Sequence, residues 1–73
     1  MQDFSDYEKR INDIMAELRS ALFTLMTERL LSLRDLARAI GVNWITMHRF
    51  LVLGMPIKVV TMAKVQEFLE KHR

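Results

Sequence analysis

The stretch that most constrains this chain is Ala39-Ile40-Gly41-Val42-Asn43, because it leaves only Gly41 to Asn43 between two short amphipathic segments. Upstream, Leu33, Leu36, Ala37 and Ile40 share one face at helical spacing, while Arg34, Asp35 and Arg38 share the other. Ser32 stands at the N-cap, Asp35 follows three residues on, and Leu31 and Leu36 have the spacing of a hydrophobic staple. Gly41 ends this helix, since glycine enters the left-handed conformation without a Cβ penalty. Downstream, Asn43 caps a further helix, Val42 and Met47 repeat the staple, and Met47, Phe50 and Leu51 face inward. So short a connection forces the helices to cross closely, which needs a small residue at the approach, and Ala37 lies there. A helix-turn-helix over residues 33–53 is predicted.

The rest of the chain reads as helix too. Ser5 and Glu8 have capping-box spacing, and Tyr7, Ile11, Ile14, Met15, Leu18, Leu22, Leu25 and Met26 form one stripe, predicting a long helix over residues 6–28. Phe23 falls off that stripe, so neighbours are expected on a second side. Gly54 and Pro56 break the pattern. A closing helix is predicted over residues 61–71, with Met62, Val65, Phe68 and Leu69 inward, a Val60 to Val65 staple, and Ile57 to Val60 as a short extended piece. The expected fold is all-α: a single small four-helix domain over residues 1–73. With 73 residues and no cysteine, packing alone must stabilise it, and a partner would help.

Several functional classes find no footing. The longest uncharged runs, Ser20 to Thr27 and Phe50 to Ile57, are well below the ~20 residues of a spanning helix, so no membrane association is expected. Asp3, Asp6 and Glu8 occupy the place of a basic leader, which predicts a cytoplasmic protein. Two distant histidines and no cysteine make a poor metal set. No glycine-rich phosphate loop occurs, and no serine or carboxylate stands beside a histidine by local spacing. Neither catalysis nor a cofactor is expected.

Charge is unevenly placed. Met1 to Glu28 carries three basic and six acidic residues, whereas Arg29 to Gln66 carries six basic residues against Asp35 alone. A basic middle section beside an acidic first helix suits a compact nucleic-acid reader. The helix after Asn43 adds a puzzle: its outer side carries Ile45 and Val52 beside His48 and Arg49. Either that side meets something apolar, or the helix is buried all round, or the helical reading is wrong.

The stretch SLRDLARAIGVNWITMHRFLVLGMPIKVVTMAKVQEFL resembles the DNA-binding domains of phage repressors of the lambda repressor and Cro class. The likeness rests on Leu36-Ala37, on Ile40-Gly41-Val42 at the turn, on Thr46-Met47 and Arg49-Phe50, and on Gly54, Pro56 and the closing helix. Trp44 and Ile45 depart from it, standing where the class usually has polar residues, and the first helix is longer than is common there. The resemblance implies a regulator of phage or mobile-element type that binds double-stranded DNA, with residues 44–53 in the major groove. Ile45 and Val52 would then face thymine methyl groups, Arg49 a guanine edge and His48 a base or phosphate, with Asn43 and Trp44 as further base contacts. Arg34, Arg38, Thr46, Lys58 and Lys64 would reach phosphates. Each assignment has an alternative: Trp44 can be partly buried, Asn43 only a cap, and the cations simply solvated. Trp44, Ile45 and Val52 can also grip another regulatory protein. The long first helix and the apolar run Phe50 to Val60 lead to the expectation of a homodimer.

Overall fold

The computed structural model describes residues 4–72, and the capping box expected at Ser5 lies outside the described side chains. Four helices follow in order: α1 (Phe4–Arg29), α2 (Leu33–Ile40), α3 (Trp44–Leu51) and α4 (Val59–His72). There is no strand among the described residues.

The turn chemistry behaves as the residue types require. The Ser32 hydroxyl accepts from the Asp35 amide at 3.1 Å, and the Asp35 carboxylate accepts from the Ser32 amide at 3.2 Å, a reciprocal capping box. Gly41 closes α2 at φ +87°, where the Val42 amide bonds back to the Ala37 carbonyl at 3.0 Å. The Asn43 side chain accepts from the Ile45 amide at 2.8 Å and starts α3. Behind this corner Leu36, Met47, Phe50, Leu22 and Val65 are fully buried, and Ala37 is nearly so. α1 and α2 each lie against α3 and α4, so the core sits between the helix-turn-helix and the two outer helices.

Several helix boundaries differ from the sequence expectation. α3 ends at Leu51 instead of residue 53, because Gly54 turns the chain at φ +69° and the Met55 amide bonds back to the Arg49 carbonyl at 2.9 Å. α4 starts at Val59, two residues early: Ile57 is anchored in the core and the Lys58 carbonyl already accepts from the Met62 amide. Val60 therefore lies in the first turn and faces solvent instead of stapling onto Val65, and the helix takes Val59 and Val60 from the extended piece expected over residues 57–60. α1 ends with Leu30 in the left-handed region at φ +55°, the Leu31 amide bonding back to Met26 at 3.0 Å. This is the same backbone closure as at Gly41, built with a leucine.

α1 is 26 residues, about 39 Å long at 1.5 Å per residue, in a molecule whose greatest extent is 45 Å. Of the expected core stripe, Met15, Leu18, Leu22 and Leu25 are buried and Ile11 and Met26 pack against the core, but Ile14 is exposed and so is Tyr7, as is every described side chain from Asp6 to Arg10. Phe23 is also exposed and does not meet the second neighbour expected of it. The start of α1 extends past the bundle.

Candidate nucleic-acid interface

The buried side of α3 is Met47, Phe50 and Leu51. At 100° per residue, His48, Arg49 and Val52 fall within about 60° of Ile45 on the opposite side, with Trp44 about 100° to one flank and Thr46 about 100° to the other. Exposure follows this geometry. Val52 is 59% exposed, Ile45 44% and Trp44 43%, and Arg49 is also open to solvent. α3 is thus not buried all round, which settles one branch of the sequence puzzle.

The flanks of α3 differ. On one, the Arg34 guanidinium lies 4.9 Å from the centre of the Trp44 ring, and Trp44 meets His48 edge-on at 6.4 Å. Arg38 is one turn along α2 from Arg34 and so shares its face. On the other flank, Thr46 and Arg49 join Lys58 and Thr61 around an open hollow of about 310 Å³, floored by Pro56 and Ile57. Thr61 was read from sequence as the start of the last helix, and its place beside Arg49 depends on α4 beginning earlier. The Asn43 side-chain oxygen is committed to the α3 cap, leaving only its amide nitrogen to donate outward.

Two cations of the basic middle section lie elsewhere. Lys64 lines a separate groove between α2 and α4 with Ala39, Glu67 and Lys71. Arg29 is occupied at the far end of α1, where it donates to the His72 carbonyl at 2.9 Å and sits 3.2 Å from His72 Nδ1. The cations beside α3 are Arg34, Arg38, Arg49 and Lys58.

Arg19 emerges as a residue that the sequence does not single out. Its Nε donates to the Phe50 carbonyl at 2.8 Å, and its guanidinium lies 4.8 Å from the Phe50 ring centre. A side chain of α1 thereby satisfies one of the last carbonyls of α3 and places positive charge at its C-terminal end, where the helix dipole favours it. Asp35, fully exposed, has its carboxyl held below the usual carboxylate range by its hydrogen bonds with Ser32, which outweigh an opposing desolvation, with the Arg38 charge the smallest contribution.

No cluster of three or more histidine, cysteine or acidic side chains able to hold a metal occurs among the described residues, and no helix there is long and apolar enough to cross a membrane. Comparison with protein-family models, with curated proteins and with solved structures finds no match to this chain.

Proposed function

We propose that this chain is a sequence-specific double-stranded DNA-binding transcriptional regulator that lays α3 in the major groove and acts as a homodimer. One observation carries the reading: the solvent side of α3 presents Ile45, His48, Arg49 and Val52 together, with Arg34 and Arg38 on one flank and Lys58 on the other. The major groove is ~12 Å wide, admits one helix, and offers both thymine methyls and the O6/N7 edge of guanine. Ile45 and Val52 match the first, and Arg49 matches the second. His48 adds a donor or acceptor, and the free Asn43 amide another donor. Arg38, Lys58 and the Thr46 hydroxyl reach backbone phosphates, which sets register without reading sequence. Leu53 and Met55 on the α3–α4 connection and Val59 and Val60 in the first turn of α4 are exposed, which supports a second copy of the chain there. Two recognition helices would then meet half-sites ~34 Å apart.

Selection of binding sites from a random duplex library tests this. The folded protein should enrich one sequence. Arg49→Ala should lose about 1–3 kcal/mol of discrimination at one G·C pair, whereas Lys58→Ala should weaken all sequences alike with a shallower salt dependence. A folded protein that enriches no sequence at moderate salt would remove the proposal.

A second reading draws on the same exposed Trp44, Ile45 and Val52, which would instead grip another regulatory protein. Replacing Ile45 and Val52 by serine separates the two. Altered preference at A·T positions with general DNA affinity retained fits the DNA reading; loss of a protein partner without effect on DNA fits the other.

A further inference from the structure

We infer that Arg34 is a base-reading residue whose guanidinium is positioned by Trp44, and that it selects a guanine next to the amino-terminal end of α3. The inference rests on the DNA-binding reading and sharpens it, because charge alone would make Arg34 one more phosphate contact.

The structural basis is the stack. Arg34 projects from the first turn of α2, and its guanidinium lies 4.9 Å from the centre of the Trp44 ring, Trp44 being the first residue of α3. A planar guanidinium over an indole is attracted by the ring quadrupole and loses side-chain freedom before any ligand arrives. Its five N–H donors stay in the guanidinium plane, free to bond outward. No acidic side chain competes for this group among the described ion pairs, where the one salt bridge joins Lys71 to Glu67 at 3.1 Å. Trp44 is itself braced, edge-on, by the His48 ring one turn further along α3.

Location decides between base and phosphate. A recognition helix meets base edges mainly through its amino-terminal residues, and Trp44 stands at that end. Holding Arg34 on Trp44 brings a two-pronged donor from α2 to the part of α3 nearest the bases, and the matching acceptor pair in the groove is guanine O6 and N7. Arg38, one turn further along α2, lacks such a platform and retains the phosphate role. The pair also accounts for an aromatic residue at a position where an exposed helix start ordinarily needs none.

Binding-site selection from a random duplex library, run on the full chain and on Arg34→Gln and Trp44→Leu, tests this. Both side chains lie outside the core, and circular dichroism checks that each variant is folded. Arg34→Gln should lose roughly 10- to 100-fold of guanine preference at one position and shift that position toward adenine, the base whose edge glutamine matches. Trp44→Leu keeps every cation, so its salt dependence should be unchanged, while preference weakens at the same position. Trp44 is the only tryptophan, so its emission in the free protein should change in Arg34→Gln, reporting the stack without DNA. If Arg34→Gln leaves every preference intact and weakens all sequences evenly with a shallower salt slope, Arg34 is a phosphate contact and the inference is overturned. It is equally overturned if Trp44→Leu alters a different position. A wild-type protein that selects no sequence at all overturns the DNA-binding reading itself, and this inference with it.

Discussion

Replacing Arg19 by alanine removes the donor that satisfies the Phe50 carbonyl at 2.8 Å and the cation 4.8 Å from the Phe50 ring centre. Two other late carbonyls of α3 have backbone partners, His48 accepting from Val52 at 2.8 Å and Arg49 from Met55 at 2.9 Å. Phe50 is served by α1 instead. A hydrogen bond from a charged donor contributes about 1.5–3 kcal/mol, and the site is only partly buried, so the lower half of that range applies. The helix-end charge and the cation–π contact add about 0.3–1 kcal/mol each, but they involve the same guanidinium and do not sum independently. The expected loss is about 2 kcal/mol. A domain of this size has roughly 4–11 kcal/mol in all, at about 0.05–0.15 kcal/mol per residue, so the loss should lower Tm by about 10 °C.

Urea unfolding followed by circular dichroism measures the total, and the emission of Trp44 reports α3 separately. Arg19→Lys should recover less than half the loss, since an ammonium keeps the charge but not the planar contact. A loss below about 0.5 kcal/mol for Arg19→Ala would show that water replaces Arg19 at Phe50 without cost, and the proposed link between α1 and α3 would be wrong.

Other perturbations test other joints. Leu30→Gly should stabilise by about 0.5–1 kcal/mol: relief of the left-handed conformation is worth about 1–2 kcal/mol, and the added freedom of glycine in the unfolded chain offsets part of it. Because Leu30 is 91% exposed, no burial is sacrificed, and an unchanged Tm would mean that φ +55° carries no strain at this site. Asp35→Asn addresses acid sensitivity. The folded carboxyl titrates below its ordinary value, so its contribution is present above pH ~4 and disappears as pH falls through the folded value. Wild type should therefore exceed the variant in stability near neutrality and converge with it in acid; a constant gap across that range would contradict the capping-box account. Val59→Glu places charge in the exposed apolar run and should convert a dimer to monomer, weakening a palindromic site far more than a half-site. Equal effects on both sites would count against the proposed dimer contact at this run.

Local rules made most of the helix-turn-helix legible. Ser32, Gly41 and Asn43 each act through bonds to residues within a few positions, and the periodicity of Leu36, Met47 and Phe50 states which side is buried. Where a local rule was absent or broken, the reading lost its place. Leu30 closes α1 in a conformation that leucine ordinarily avoids, so no residue type announced that turn. Thr61, expected at the start of the closing helix, lies inside α4, because burial of Ile57 fixes where the chain can begin to coil.

Charge was the least legible property, and for a physical reason. Arg19, Arg29, Arg34 and Lys64 are indistinguishable as entries in a sum, yet the first three have partners 31 residues away at Phe50, 43 residues away at His72 and across the turn at Trp44, while Lys64 lines a groove between α2 and α4. Cations that hold helices together leave the free cations fewer than segment counts imply. What remains beside α3 is Arg34, Arg38, Arg49 and Lys58 around an apolar and aromatic strip. Affinity for phosphate could be met by a more basic and less apolar surface, so the strip of Trp44, Ile45 and Val52 argues for a ligand with apolar features of its own. Within the DNA reading that means sequence discrimination matters more than charge, and salt dependence should correspond to only a few phosphate contacts per chain.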